Sequence, residues 1–166
     1  MFSVSCLSKN QSSTTTKKAS KEPVAEVLKL SPQDLEQYET AYFTSGCFWC
    51  VEAIFESVKG VKEVISGYSG GTEENPTYQQ VAYGKTSHAE AVEVYYDPKE
   101  ISFTALVQVF FGSHDPTSLN RQGPDRGTQY RSIAFYKNDT EKKIITRYRD
   151  ALELSLIHIS EPTRPY

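Results

Sequence analysis

The sequence predicts an α+β fold, a ferredoxin-like βαββαβ sandwich with an additional C-terminal helix. Short alternating apolar runs bounded by Gly, Pro and Asp read as strands. Two other runs carry apolar residues at helical spacing. The elements follow one another as β-α-β-β-α-β before a last helical run, the split βαβ order. At 166 residues the chain has room for one domain with its own hydrophobic core once a polar N-terminus is set aside.

Ala41 to Ser45 is the first expected strand. Phe48 to Val58 is a helix, with Val51, Ile54, Phe55 and Val58 at i, i+3, i+4 and i+7, and Gly60 stops it. Val61 to Tyr68 is the second strand, closed by Gly70-Gly71. Asn75-Pro76 opens a short helical or turn segment through Val81 that Gly84 ends. His88 to Tyr96 is the third strand, ended by Asp97-Pro98. Ser102 caps a helix with Phe103, Leu106, Val107, Phe110 and Phe111 on one face. A polar loop covers Gly112 to Thr128, Tyr130 to Lys137 forms the fourth strand, and Asn138 starts the last helix.

The two ends read differently from this core, which occupies residues 23–153. Residues 1–22 form a leader and linker: Ser8 to Glu22 is a Ser/Thr/Lys tract with too little apolar content to offset the entropy of ordering it. Before it, MFSVSC resembles the end of a bacterial lipoprotein signal. Cys6 as a lipidation site would put a bacterial chain at the cell envelope or in the periplasm; an incidental Cys6 leaves it cytoplasmic. Residues 154–166, LSLIHISEPTRPY, resemble the translation of a sequencing adapter and are expected to lie outside the native fold, the natural protein continuing past Glu153.

Composition narrows the function. Lys plus Arg number 18 against 21 Asp plus Glu, a net charge of -3 with no basic block, so nucleic acid is not an expected partner. No apolar stretch approaches the roughly 20 residues that span a bilayer. The cysteines are Cys6, Cys47 and Cys50, too few and too uneven for a disulfide scaffold. A domain of this size is expected to be a monomer. With 11 Tyr and 8 Phe the chain can line a small pocket with rings that carry hydroxyl donors.

Cys47 falls where the first strand meets the first helix. Free backbone N–H groups and the positive end of the helix dipole favour an anion there, and the thiolate is the nucleophilic form of cysteine. Cys50 lies one turn on along the same face, so the two thiols can pair. The competing readings are two small buried hydrophobes, or half of a zinc site completed by His88 and His114; no second CxxC or close His pair supports the latter. A CxxC pair by itself does not specify which redox reaction it serves.

In the third strand His88, Glu90, Val92, Val94 and Tyr96 share one face and Ala89, Ala91, Glu93 and Tyr95 the other. If the first face is the core side, desolvation keeps Glu90 partly protonated near neutral pH and fit to act as a general acid; if the second is, Glu90 is a solvated charge. Tyr78, Tyr83, Tyr95, Tyr96, Tyr130 and Tyr136 are each either core rings or pocket donors, and Asp125 is either a turn former or a ligand at a pocket edge.

Three blocks, GCFWCVEAIF, GYSGGTEENPTYQQVAYGKTSHAEAVEVYYDP and HDPTSLNRQGPDRGTQYRS, resemble in order and spacing those of the peptide methionine sulfoxide reductase A family, over Ala41 to Tyr136. The resemblance implies a peptide-methionine (S)-S-oxide reductase that repairs oxidised methionine, free or in proteins, through a cysteine sulfenic acid. It implies Cys47 as the nucleophile on the sulfoxide sulfur, and Phe48 and Trp49 as the wall for the substrate methyl. Glu90 would be the proton donor to the sulfoxide oxygen, Tyr78 and Tyr130 hydrogen-bond donors to it, and Asp125 a substrate-holding residue. No cofactor or metal is implied, only an external dithiol such as thioredoxin or dithiothreitol.

Two positions depart from the family pattern. Many members carry Gly where this chain has Cys50 and place resolving cysteines in a C-terminal tail; with residues 154–166 read as adapter-derived, Cys50 is the only nearby thiol and so the candidate resolving thiol, and Ser87 stands where Gly is common. A thioredoxin-like CxxC disulfide oxidoreductase is the alternative enzyme, and a redox-sensing or metal-binding module the third reading.

Overall fold

The computed structural model describes residues 30–159, with side chains through residue 154. Cys6, the N-terminal linker and residues 160–166 lie outside the described residues.

A short helix, α1 (Pro32–Leu35), opens the described chain; Ser31 and Asp34 form a reciprocal capping box around it. The strand β1 (Glu39–Thr44), the helix α2 (Phe48–Glu56) and the strand β2 (Val61–Ser69) follow. Next come α3 (Tyr78–Ala82), β3 (Ala89–Tyr96) and α4 (Phe103–Gly112). The remaining elements are a two-residue pair, β4 (Arg121–Gln122) with β5 (Asp125–Arg126), a 3-10 turn (Thr128–Tyr130), β6 (Ile133–Ala134) and α5 (Asp139–Ile159).

The main sheet has the order β2-β3-β1-β6, and every neighbouring pair is antiparallel. This is the split βαβ arrangement expected from the element order. One face is apolar because alternate residues of each strand point the same way: Ala41 and Phe43 from β1, Val92, Val94 and Tyr96 from β3, and Val64 from β2. Onto it pack Phe48, Val51 and Phe55 of α2 and Phe103, Leu106, Val107 and Phe110 of α4. Phe43, with no exposed surface, stacks on Phe55 and Phe110 with ring centroids 5.1 and 5.0 Å away. α5 covers α4, where Tyr148 stacks on Phe111 at 5.3 Å.

The fourth strand is shorter than the sequence suggests. Only Ile133 and Ala134 pair with β1, and Tyr130, expected at the strand's start, lies in the 3-10 turn. The amides of Tyr130 and Arg131 are taken by the carbonyls of Gly127 (3.0 Å) and Thr128 (3.3 Å), so they are not free to join a ladder. The expected loop before it contains the β4–β5 pair, turned through Gly123-Pro124. α3 owes its existence to a second capping box, Thr77 with Gln80. Asn138 caps α5 by accepting from the Glu141 amide at 2.9 Å, and α5 runs on through Ile159, beyond Leu154.

Candidate active site

Between the end of β1 and the start of α2 the chain turns through Ser45-Gly46-Cys47. Gly46 has φ +92°, and a Cβ there would sit 2.7 Å from Cβ of Gln122, so the turn admits only glycine. This delivers Cys47 to the N-cap position of α2, where its carbonyl accepts from the amides of Cys50 (3.1 Å) and Val51 (3.2 Å). The Cys47 side chain makes no capping hydrogen bond. Cys47 is half-buried and Cys50 exposed.

The amide that opens α2 goes elsewhere: Phe48 N donates to Oε2 of Glu90 at 3.1 Å. Glu90 is 3% exposed and shares the core face of β3 with Val92 and Val94, so of the two orientations open to the strand the buried one holds. Burial, first of all, pushes the Glu90 carboxyl above its ordinary range; the Phe48 amide opposes this, and the charge of Asp125 adds to it.

Rings wall the space beside this acid. Phe48 lies 5.1 Å from Trp49 and 6.2 Å from Tyr78 between ring centroids, and Trp49 lies 5.7 Å from Tyr78. Thr77 caps α3 and so places Tyr78 at the first position of that helix. The 3-10 turn brings in Tyr130, whose phenol is pushed up by burial and then by Glu90, Asp125, Tyr78 and Cys47. Cys47, Phe48, Trp49, Tyr78, Glu90, Asp125 and Tyr130 thus converge from four separate stretches of chain.

Sequence reasoning missed Tyr68. It pairs with Glu90 across the β2–β3 ladder, its ring is 5.9 Å from that of Phe48, and its phenol is raised by burial and then by Glu90 and Tyr78. The strand itself gives only that Tyr68 shares with Val64, four residues earlier, the face that meets the core; its place beside Glu90 comes from the cross-strand register. Of the other tyrosines, Tyr83 and Tyr136 are exposed and Tyr96 is a core ring.

On the far side of Cys47 lies a cavity of about 230 Å³, walled by Ser45, Cys47, Cys50, His114, Gln122 and Asp125 among others. The two thiols share it. The Cys50 thiol is raised foremost by its neighbour Cys47, then by burial. His114 is engaged at both ring nitrogens, Nδ1 with the Phe110 carbonyl and Nε2 with Ser132 Oγ, each at 2.7 Å. His88 lies away from the thiols, its Nε2 on the Glu73 carbonyl at 2.8 Å. Among the described residues no group of three or more Cys, His, Asp or Glu side chains is gathered to hold a metal, and these two histidines are committed elsewhere.

Fold and site together define a cysteine-centred α+β protein, with a helix-start thiol, a buried carboxyl hydrogen-bonded to the amide of the next residue, and an aromatic wall. The chain belongs to the peptide methionine sulfoxide reductase family, whose family model matches residues 39–162. It is 53% identical over 114 residues to peptide methionine sulfoxide reductase MsrA of Natronomonas pharaonis, a match covering 69% of this chain and 64% of that relative. It is 45% identical over 129 residues to the MsrA of Polynucleobacter asymbioticus, covering 78% and 68%.

Solved structures share the fold, among them the following two. Methionine sulfoxide reductase A of Corynebacterium diphtheriae matches with a TM-score of 0.65 at 37% identity, over 75% of this chain and 61% of that one. Reduced Mxr1 of Saccharomyces cerevisiae matches with a TM-score of 0.66 at 32% identity, over 76% and 73%. The chain therefore spans 64% of the length of the Natronomonas relative and a comparable share of the others. These relatives carry one family name, which does not favour the thioredoxin-like disulfide oxidoreductase. Among the described residues no helix is long and apolar enough to cross a membrane.

Proposed function

We propose that the chain reduces methionine-S-sulfoxide, free or within proteins, to methionine by thiol chemistry at Cys47. The observation that carries this reading is the juxtaposition of a buried carboxyl on β3, with raised proton affinity, and a thiol at the N-cap of α2, joined through the Phe48 amide that opens that helix. A sulfoxide oxygen is a poor leaving group until it is protonated, so a nucleophilic sulfur and a neutral acid must act in one pocket.

The Cys47 thiolate attacks the sulfoxide sulfur as the S–O bond is weakened by proton donation from Glu90. Glu90 accepts from Phe48 N at one oxygen, which leaves its proton on the other, towards the substrate. Tyr78 and Tyr130 donate to the same sulfoxide oxygen and stabilise the charge that collects there. Phe48, Trp49 and the Tyr78 ring receive the methyl group. The oxygen passes to Cys47, giving methionine and a sulfenic acid.

Cys50 then displaces the sulfenic hydroxyl as water and forms a disulfide with Cys47, which an external dithiol, thioredoxin in the cell or dithiothreitol in the assay, reduces to two thiols. Asp125, on the rim shared by both sides of Cys47, holds the substrate. The chain acts as a monomer with no resident cofactor.

The test is reduction of methionine-S-sulfoxide, free and in a peptide, driven by dithiothreitol. Wild type is expected to release methionine, Cys47→Ser none, and Glu90→Gln far less. A wild-type chain that forms no methionine would overturn the reading.

A further inference from the structure

We propose that Gln129 and Arg131 are positioning residues that fix the Tyr130 hydroxyl beside Glu90; the role rests on the reduction proposed above. Tyr130 lies in a three-residue 3-10 turn outside the sheet ladder, so the turn alone gives its ring no fixed place relative to the strands. The two residues that bracket it in sequence tie it down, each to an element that bears another group of the pocket.

Gln129, 6% exposed, donates through Nε2 to the carbonyl of Ala82 at 2.9 Å. Ala82 ends α3, whose first residue is Tyr78. The carboxamide folds back over Gly127, which has φ +133° and where any Cβ would collide with it. A change at Gln129 would therefore loosen the turn from the helix that supplies the second phenol.

Arg131 spans the other side. Its Nη2 donates to the carbonyls of Gly70 (3.2 Å) and Ser87 (2.9 Å), and its Nη1 to that of Thr128 (2.8 Å). Gly70 follows Ser69, the last residue of β2, which carries Tyr68, and Ser87 leads into β3, which carries Glu90. Thr44, buried at the end of β1, donates through Oγ1 to the carbonyl of Arg131 at 2.7 Å. One planar guanidinium therefore reaches three carbonyls at once, which an ammonium on a flexible stem cannot reproduce.

A residue that only stabilises the fold and one that places Tyr130 differ in how they combine with loss of the hydroxyl. The measurement is the single-turnover rate of methionine release at saturating sulfoxide, for Arg131→Lys, Gln129→Leu, Tyr130→Phe and the two double variants containing Tyr130→Phe. Each of the first two is expected to lower the rate roughly tenfold, since a misplaced group loses its effect within about an ångström, with little change in sulfoxide affinity. In the Tyr130→Phe background each is expected to add less than about a twofold loss.

Losses that multiply in the doubles, or single variants that keep the wild-type rate, overturn the proposal while leaving the reaction standing. A wild type that yields no methionine overturns the reaction and this role with it. Circular dichroism reports folding; if Gln129→Leu does not fold, the Arg131→Lys cycle decides alone.

Discussion

The amide of Phe48 and the carboxyl of Glu90, 42 residues apart in sequence, are joined by a buried 3.1 Å hydrogen bond. Through it the first residue of α2 and the core face of β3 share one geometry, and the acid is held one residue from the nucleophile. The helix start thus serves the acid directly.

From this bond follows the pH behaviour of the reaction. The Glu90 carboxyl is raised by burial, so the protonated donor persists above the ordinary carboxylate range and is lost as pH climbs through the elevated value. Single-turnover methionine release is expected to fall along an alkaline limb. Glu90→Gln should remove that limb and lower the rate by about 10²–10⁴-fold, the usual worth of a positioned general acid.

The same carboxyl should make the folded chain less stable as pH rises. A group whose folded value lies above its unfolded one contributes fully below the unfolded value, near 4.5, and loses that contribution as pH passes through the raised value. Glutamine can still accept from Phe48 N but has no charge to desolvate. Thermal unfolding at pH 8 is expected to show Glu90→Gln melting above wild type, with the difference closing towards pH 4.

Cys50 is expected to reveal itself by what accumulates without it. After one turnover, Cys50→Ser should hold a dimedone-reactive sulfenic acid at Cys47, whereas wild type should hold a Cys47–Cys50 disulfide, mapped by peptide mass. Because Cys47 is the foremost cause of the raised Cys50 thiol, Cys47→Ser should also speed alkylation of Cys50 at neutral pH. Equal sulfenic acid in both chains would exclude Cys50 as the resolving thiol.

Phe43 joins the two helices to the sheet, with Phe55, Phe103 and Phe110 around its ring. Phe43→Ala is expected to cost about 3–5 kcal/mol in urea unfolding, the range for emptying a buried aromatic site. A loss below about 1 kcal/mol would mean that the neighbouring rings close the cavity.

The strand and helix order was legible because alternation and helical spacing in Phe48–Glu56, Ala89–Tyr96 and Phe103–Gly112 report the face that meets the core. Tyr130 was misplaced into a strand because its apolar neighbours Ile133 and Phe135 alternate, while the 3-10 turn depends on i→i+3 hydrogen bonds that leave no periodic trace. The motif residues were legible as types, and Cys47 also by position. The side to which Glu90 points could not be read from β3 alone, because Ala89 and Ala91 on its opposite face are buried as well. Tyr68 enters the pocket through cross-strand register with Glu90, a relationship between two segments that neither segment encodes alone.

Trp49 is the single tryptophan of the chain, and it is 59% exposed within the aromatic wall, between Phe48 and Tyr78. All indole emission of the protein therefore originates at the pocket. Occupation of that wall by a methyl sulfoxide changes the polarity around the ring, so in Cys47→Ser, which cannot turn the ligand over, an unlabelled fluorescence titration reads sulfoxide binding directly.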